Sequence, residues 1–128
     1  MTEKEWLDGI RHLSDDQIVQ LHFGLQEKIK KHYRLRTTGN NLQKAISLCE
    51  QQIALAPLTC AAMERQHQAK LEEVNAIREE NGMPAHEWSF DLPSHHGYRQ
   101  LSVILRRQKD LDRLVEIETK RKSEGWAD

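Results

Sequence analysis

The stretch Asn41-Leu42-Gln43-Lys44-Ala45-Ile46-Ser47-Leu48-Cys49-Glu50-Gln51-Gln52-Ile53-Ala54-Leu55-Ala56-Pro57 decides how this chain is read. Its apolar residues recur at helical spacing, with the small Ala45 near the start. Pro57 has no amide to donate and its ring clashes with the preceding turn. The stretch therefore predicts a helix from Asn41 to about Leu55 that breaks at Pro57.

Upstream, residues 3–12 read as a short helix with Trp6, Leu7 and Ile10 on one side. In Leu13-Ser14-Asp15-Asp16-Gln17-Ile18, Ser14 and Gln17 form a capping box, and Leu13 and Ile18 occupy the positions of a hydrophobic staple. A helix is thus predicted from Asp15 to about Leu35, with Ile18, Leu21, Leu25 and Ile29 as its apolar stripe. Thr37 to Asn40 reads as a loop. Downstream, Thr59 to Glu80 carries Cys60, Met63, His67, Leu71, Val74 and Ile77 on one stripe and stops at Asn81-Gly82 before Pro84. Residues 83–94 lack a helical period and read as a linker whose Trp88, Phe90 and Leu92 pack onto the helices. Ser94 then caps a helix over His95 to about Gln108, and Asp110 begins a return helix with Leu111, Leu114, Val115 and Ile117. Strand-like runs are absent, so the class is all-α: one domain over 1–128 with 83–94 as an internal linker.

The quoted segment resembles the second helix of a tetratricopeptide repeat at Ala45, Ile46, Ile53 and Pro57. Residues 110–126 align with 41–57 without gaps, and 95–126 keep the family's spacing at Tyr98, Leu101, Leu105 and Leu111. The match departs from the family at Ser102, Leu114 and Trp126, and at His32, Tyr33 and Arg36 in the first hairpin. It covers 26–57 in part and 95–126. The resemblance implies antiparallel helical hairpins in a tetratricopeptide-like stack of about six helices, an architecture that usually holds protein partners and seldom catalyses.

Composition supports a binding role without naming a partner. The 128 residues carry 19 basic and 20 acidic side chains, a net charge of −1, so no global field draws the chain to nucleic acid or membrane. Cys49 and Cys60 form no metal-binding pair and read as reduced thiols. No window approaches the ~20 apolar residues that span a bilayer. A cytoplasmic protein without metal or other cofactor is expected.

Several groups of residues are candidates for chemistry. His12, His22 and His32 recur every ten residues and rotate away from a common helix face. His95 and His96 stand at a predicted helix start, where free amides and the helix dipole favour an anion. Lys28, Lys30, Lys31, Arg34 and Arg36 form a basic run, and Lys30, Lys31 and Arg34 share a face opposite Leu25 and Ile29. A second basic group, Arg106, Arg107 and Lys109 with Lys120, Arg121 and Lys122, is interleaved with Asp110, Asp112, Glu116 and Glu118, and pairing along or between helices accounts for it. A Gly-rich phosphate loop, a GxSxG elbow and an HExxH motif are all missing, so no enzyme is expected.

Three aromatic residues lack an evident place in the core. Phe23 lies off its helix's main stripe, Trp88 lies in the linker, and Trp126 ends the last hairpin with no following repeat to cover it. They mark a surface for a protein partner, a peptide or helix, or for a second copy of the chain. The alternative function is a small nucleic-acid-binding regulator using the Lys28–Arg36 face together with His95 and His96.

Overall fold

A computed structural model describes residues 2–128. Among them are five helices: α1 (Glu3–Ile10), α2 (Asp15–Arg34), α3 (Asn41–Glu80), α4 (His96–Arg107) and α5 (Leu111–Glu124). No strand is formed among the described residues, and the one β-bridge joins Ser94 to Ala127. The chain is all-α.

The start of α2 forms as its sequence dictates. The Gln17 amide donates to Ser14 Oγ at 3.2 Å, and the Ser14 amide donates to Gln17 Oε1 at 2.9 Å. Leu13 and Ile18 then belong to one apolar cluster, which closes the staple.

The break at Pro57 does not occur. Pro57 lies inside α3, which runs for 40 residues, so the expected fourth helix is the second half of the third. Proline in a helix interior leaves the carbonyl four residues back without its donor and costs about 3 kcal/mol. Tertiary burial outweighs that cost. Gln52, Ile53, Ala54, Leu55 and Ala56 are all buried before the proline, as are Thr59 and Ala62 after it, whereas Pro57 itself faces solvent. Fully burying one Leu or Ile contributes roughly 1.5–3 kcal/mol, and Ile53 and Leu55 belong to different clusters on two sides of the same helix. The helix continues through the proline because both of its flanks are covered.

α3 is therefore the central element. α1, α2 and one flank of α3 enclose Ile18, Leu25, Leu55 and Ala62. The end of α2, α4, α5 and the other flank enclose Ile29, Ile46, Cys49, Ile53, Tyr98, Leu101 and Leu105. Asp15 binds Arg65 at 2.7 Å, and Gln66 donates to Asp16 at 2.7 Å, so the start of α2 lies level with residues 65–66. Beyond that level α3 continues as an arm.

The segment 83–94 returns along the arm. At ~1.5 Å rise per residue, about 43 Å separates Gln52 from Asn81 along α3. The connection from Asn81 to His95, which lies against Gln52, spans at most about 46 Å at ~3.3 Å per residue. It must run almost fully extended. Arg78 Nε donates to the Pro84 carbonyl (2.7 Å), Asn75 bonds both the amide and the carbonyl of His86 (2.7 and 3.2 Å), and His67 Nε2 donates to the Trp88 carbonyl (2.8 Å). The expected packing of the linker onto the helices is thus carried by polar side chains of α3 as well as by apolar contacts.

Candidate functional site

Three places collect the residues singled out in the sequence: a sealed aromatic cluster, the arm, and a basic face on α2 and α4.

Trp126 is in the sealed cluster and is 3% exposed, so it is not a contact surface. Gly125 adopts φ 89°, and the Trp126 amide donates back to the Arg121 carbonyl at 3.3 Å. This left-handed C-terminal turn swings the indole inward. There it stacks on His22 (ring centroids 5.9 Å, 7° between planes) and meets His95 edge-on at 4.8 Å. Arg121 Nη1 donates to the Trp126 carbonyl at 2.9 Å, and the Ala127 amide donates to the Pro93 carbonyl at 3.2 Å. The carboxyl-terminal residues are clipped down from both sides.

His95 is likewise not an anion site. It is fully buried and is itself the N-cap of α4, in place of Ser94. Its Nδ1 accepts the Tyr98 amide at 3.1 Å, which requires the proton on Nε2, facing the Gln52 carbonyl at 3.3 Å. The amide an anion would need is already taken. Burial, with the charge of His22 adding, pushes His95 down to about 3, and burial pushes His22 down to about 4. Both imidazoles are neutral structural groups. A Cβ at Gly97 would lie 2.6 Å from Gln52 Oε1 and 3.3 Å from the Cys49 carbonyl oxygen, so a larger residue there would force the buried Gln52 side chain to shift.

Gln52, His22, Gly97 and Arg121 were missed as a group in the sequence. One signal was available: a Gly followed by a large apolar residue at a helix end is the pattern of a Schellman turn, and Gly125-Trp126 has it. Both cysteines are free thiols, Cys49 buried and Cys60 half-buried. Burial pushes Cys49 up to about 12 and Cys60 up to about 11. Among the described residues no three of His, Cys, Asp and Glu gather into a set able to hold a metal ion.

The arm carries Trp88, which is 49% exposed although its backbone is fixed by His67. Its ring meets His67 edge-on at 4.8 Å and His86 at 6.4 Å, and Phe90 tilts against His67 at 5.3 Å. Ile77 and Met83 are also about half exposed and lie further along the arm, toward its tip. Residues 68–91 hold six carboxylates, Glu72, Glu73, Glu79, Glu80, Glu87 and Asp91, against the two cations Lys70 and Arg78.

The basic face lies on α2 and α4. His95 is 5.2 Å from His22, and Ile104 and Arg107 border one groove of about 220 Å³ with Tyr33 and Arg36. The two helices therefore run side by side in the same direction. Phe23, Glu27, Lys30 and Arg34 fall on one exposed stripe of α2; Arg99, Val103 and Arg106 fall on one of α4. His96 sits between the stripes, its titration lowered by burial and then by the charges of Lys30 and Arg99. Lys28 and Lys31 project on the adjoining exposed side of α2, and Arg36 lies over the Tyr33 ring at 4.4 Å. The pairing expected for the second basic group forms in part: Arg121 binds Glu118 at 3.2 Å, whereas among the described residues Arg106, Arg107, Lys109, Lys120 and Lys122 form no ion pair, the other pairs being made by Arg11, Lys30, Arg65, Lys70 and Arg113.

No family model, no curated protein and no solved structure matches this chain. No helix among the described residues is long and apolar enough to cross a membrane.

Proposed function

We propose that this chain is a non-catalytic protein-binding module that takes a peptide or helix along the arm formed by residues 67–80 and 83–92. The observation that carries this reading is Trp88, half exposed on a backbone already held by His67. A rigid exposed tryptophan loses little entropy on binding and is a recurrent hot spot. Ile77 and Met83, also about half exposed, offer separate apolar contacts further along the arm, and the arm's carboxylates call for a partner with apolar anchors flanked by Lys or Arg. Phe23 belongs to the other face and Trp126 to the interior, so neither shares this surface. The tetratricopeptide resemblance bears on the α4–α5 hairpin, two helices joined by a short turn, and lends support to a partner-holding role rather than to a specific groove. The neutral buried histidines and raised thiols support the non-catalytic half of the reading.

Affinity capture from native extract with nuclease present, read by mass spectrometry, tests it. Trp88→Ala is expected to weaken recovery of a specific protein at least ~30-fold, the size of a hot-spot loss, while far-UV circular dichroism stays unchanged. Equal recovery by the variant contradicts the assignment. If the captured protein is the chain itself, sedimentation that becomes monomeric in Trp88→Ala identifies a second copy as the occupant.

A further inference from the structure

Ten of the nineteen Lys and Arg residues lie in two segments, 28–44 and 99–109, that contain no Asp or Glu. The fold brings these segments together at one end and along the adjoining α2 and α4, while the arm points its acids the other way. A net charge of −1 therefore conceals a strongly polarised molecule.

We propose that the α2–α4 face binds the phosphodiester backbone of a nucleic-acid strand, with Lys30, Arg34, Arg99, Arg106 and Arg107 on phosphates and Phe23 against a base. The geometry suits a strand. Helices packed side by side set their axes about 8–10 Å apart, so the cations of α2 and α4 flank a shallow track. From Phe23 to Arg34 the α2 stripe is about 16 Å long, room for roughly three nucleotides. Four of the five cations are arginines, whose planar forks match phosphate oxygens. Phe23, 47% exposed at the far end of the track, offers a ring for stacking. Glu27 is the one acid on the α2 stripe and pairs with Lys30 at 3.6 Å. It leaves the four arginines unneutralised.

An anionic lipid surface fits less well. An interfacial helix needs an apolar band alongside its cations, and the three exposed apolar side chains on or beside this face, Phe23, Leu35 and Val103, are spread over two helices, with Leu35 about 18 Å along α2 from Phe23. The site adds α4 to the α2 run, and it is independent of Trp88.

Fluorescence anisotropy with labelled 20-mers of single-stranded DNA, RNA and duplex DNA tests the proposal, with phosphatidylserine vesicles as a separate arm. Binding of at least one nucleic acid is expected, weakening about 50-fold between 50 and 200 mM salt, as contact with about four phosphates of a single strand requires. The combined charge reversal Arg34→Glu, Arg99→Glu, Arg106→Glu is expected to lower affinity more than ~30-fold. These side chains are exposed, so the variant is checked for an unchanged thermal midpoint, and Lys70→Glu with Lys120→Glu serves as a control that retains binding. Phe23→Ala is expected to weaken single-strand binding at least ~5-fold and to spare the duplex. The proposal is overturned if no oligonucleotide binds at 50 mM salt, if the triple reversal binds as the wild type does, or if only the vesicles bind.

Discussion

Lowering the pH from 7.5 to 5 is expected to remove about 4 kcal/mol of folding stability, well before the carboxylates begin to protonate. The cause is the buried pair His22 and His95, whose rings lie 5.2 Å apart. Folding lowers His22 to about 4 and His95 to about 3, against 6.5 for a free imidazole. A group depressed in this way stays neutral in the fold while the unfolded chain takes up a proton. The contribution is therefore complete above about pH 6.5 and is lost as pH falls toward 4 and 3, at about 1.4 kcal/mol per unit per histidine. Protonating His95 would also set an N–H against the Tyr98 amide that its Nδ1 now caps. The acids with lowered titration, Asp15 and Glu118, lose their contribution only below about pH 4–4.5 and so lie outside this window. Urea titrations at pH 7.5, 6, 5.5 and 5 measure the slope. His95→Asn, which keeps a capping side chain without a charge, is expected to halve it; stability independent of pH between 7.5 and 5 contradicts the assignment.

Trp126→Ala is expected to destabilise the chain by about 3–5 kcal/mol, the usual cost of emptying a buried tryptophan site. The indole packs against both His22 and His95, and its loss also releases the clip formed by Arg121 and Pro93. At roughly 3–6 °C per kcal/mol for a domain of this size, the thermal midpoint should fall by more than ~10 °C. Trp126→Phe should cost far less, because the indole N–H is buried without a partner and its removal offsets part of the lost contact. A midpoint unchanged in Trp126→Ala would place the indole at the surface.

These expectations separate what the sequence shows from what it hides. The capping box at Ser14, the loop at 37–40 and the stripe of Leu101, Ile104 and Leu105 were legible, since each depends on residues a few positions apart. Pro57 was misread because its local penalty is visible in sequence, whereas the burial on both flanks of α3 that overrides it comes from distant elements. Trp126 was misread because its cover, His22 and His95, comes from segments far from it in sequence. His95 shows the same limit, since a histidine at a helix start signals anion binding only if its ring and neighbouring amides are free. The basic run on α2 was legible, but its extension onto α4 was not. The acids interleaved with Arg106 and Lys109 in sequence, Asp110 and Asp112, do not pair with them in space.

Both surfaces depend on α3 being one helix, which sets the arm at one end and the basic face toward the other. The decisive measurement is the distance between spin labels at Lys44→Cys and Glu79→Cys by pulsed electron paramagnetic resonance, in a Cys60→Ser background. Cys49, buried and with its thiol pushed up to about 12, stays unlabelled. A continuous helix predicts a narrow distribution near 50 Å at ~1.5 Å per residue. A hairpin folded at Pro57 would bring the labels within about 25 Å, and that result would contradict the account.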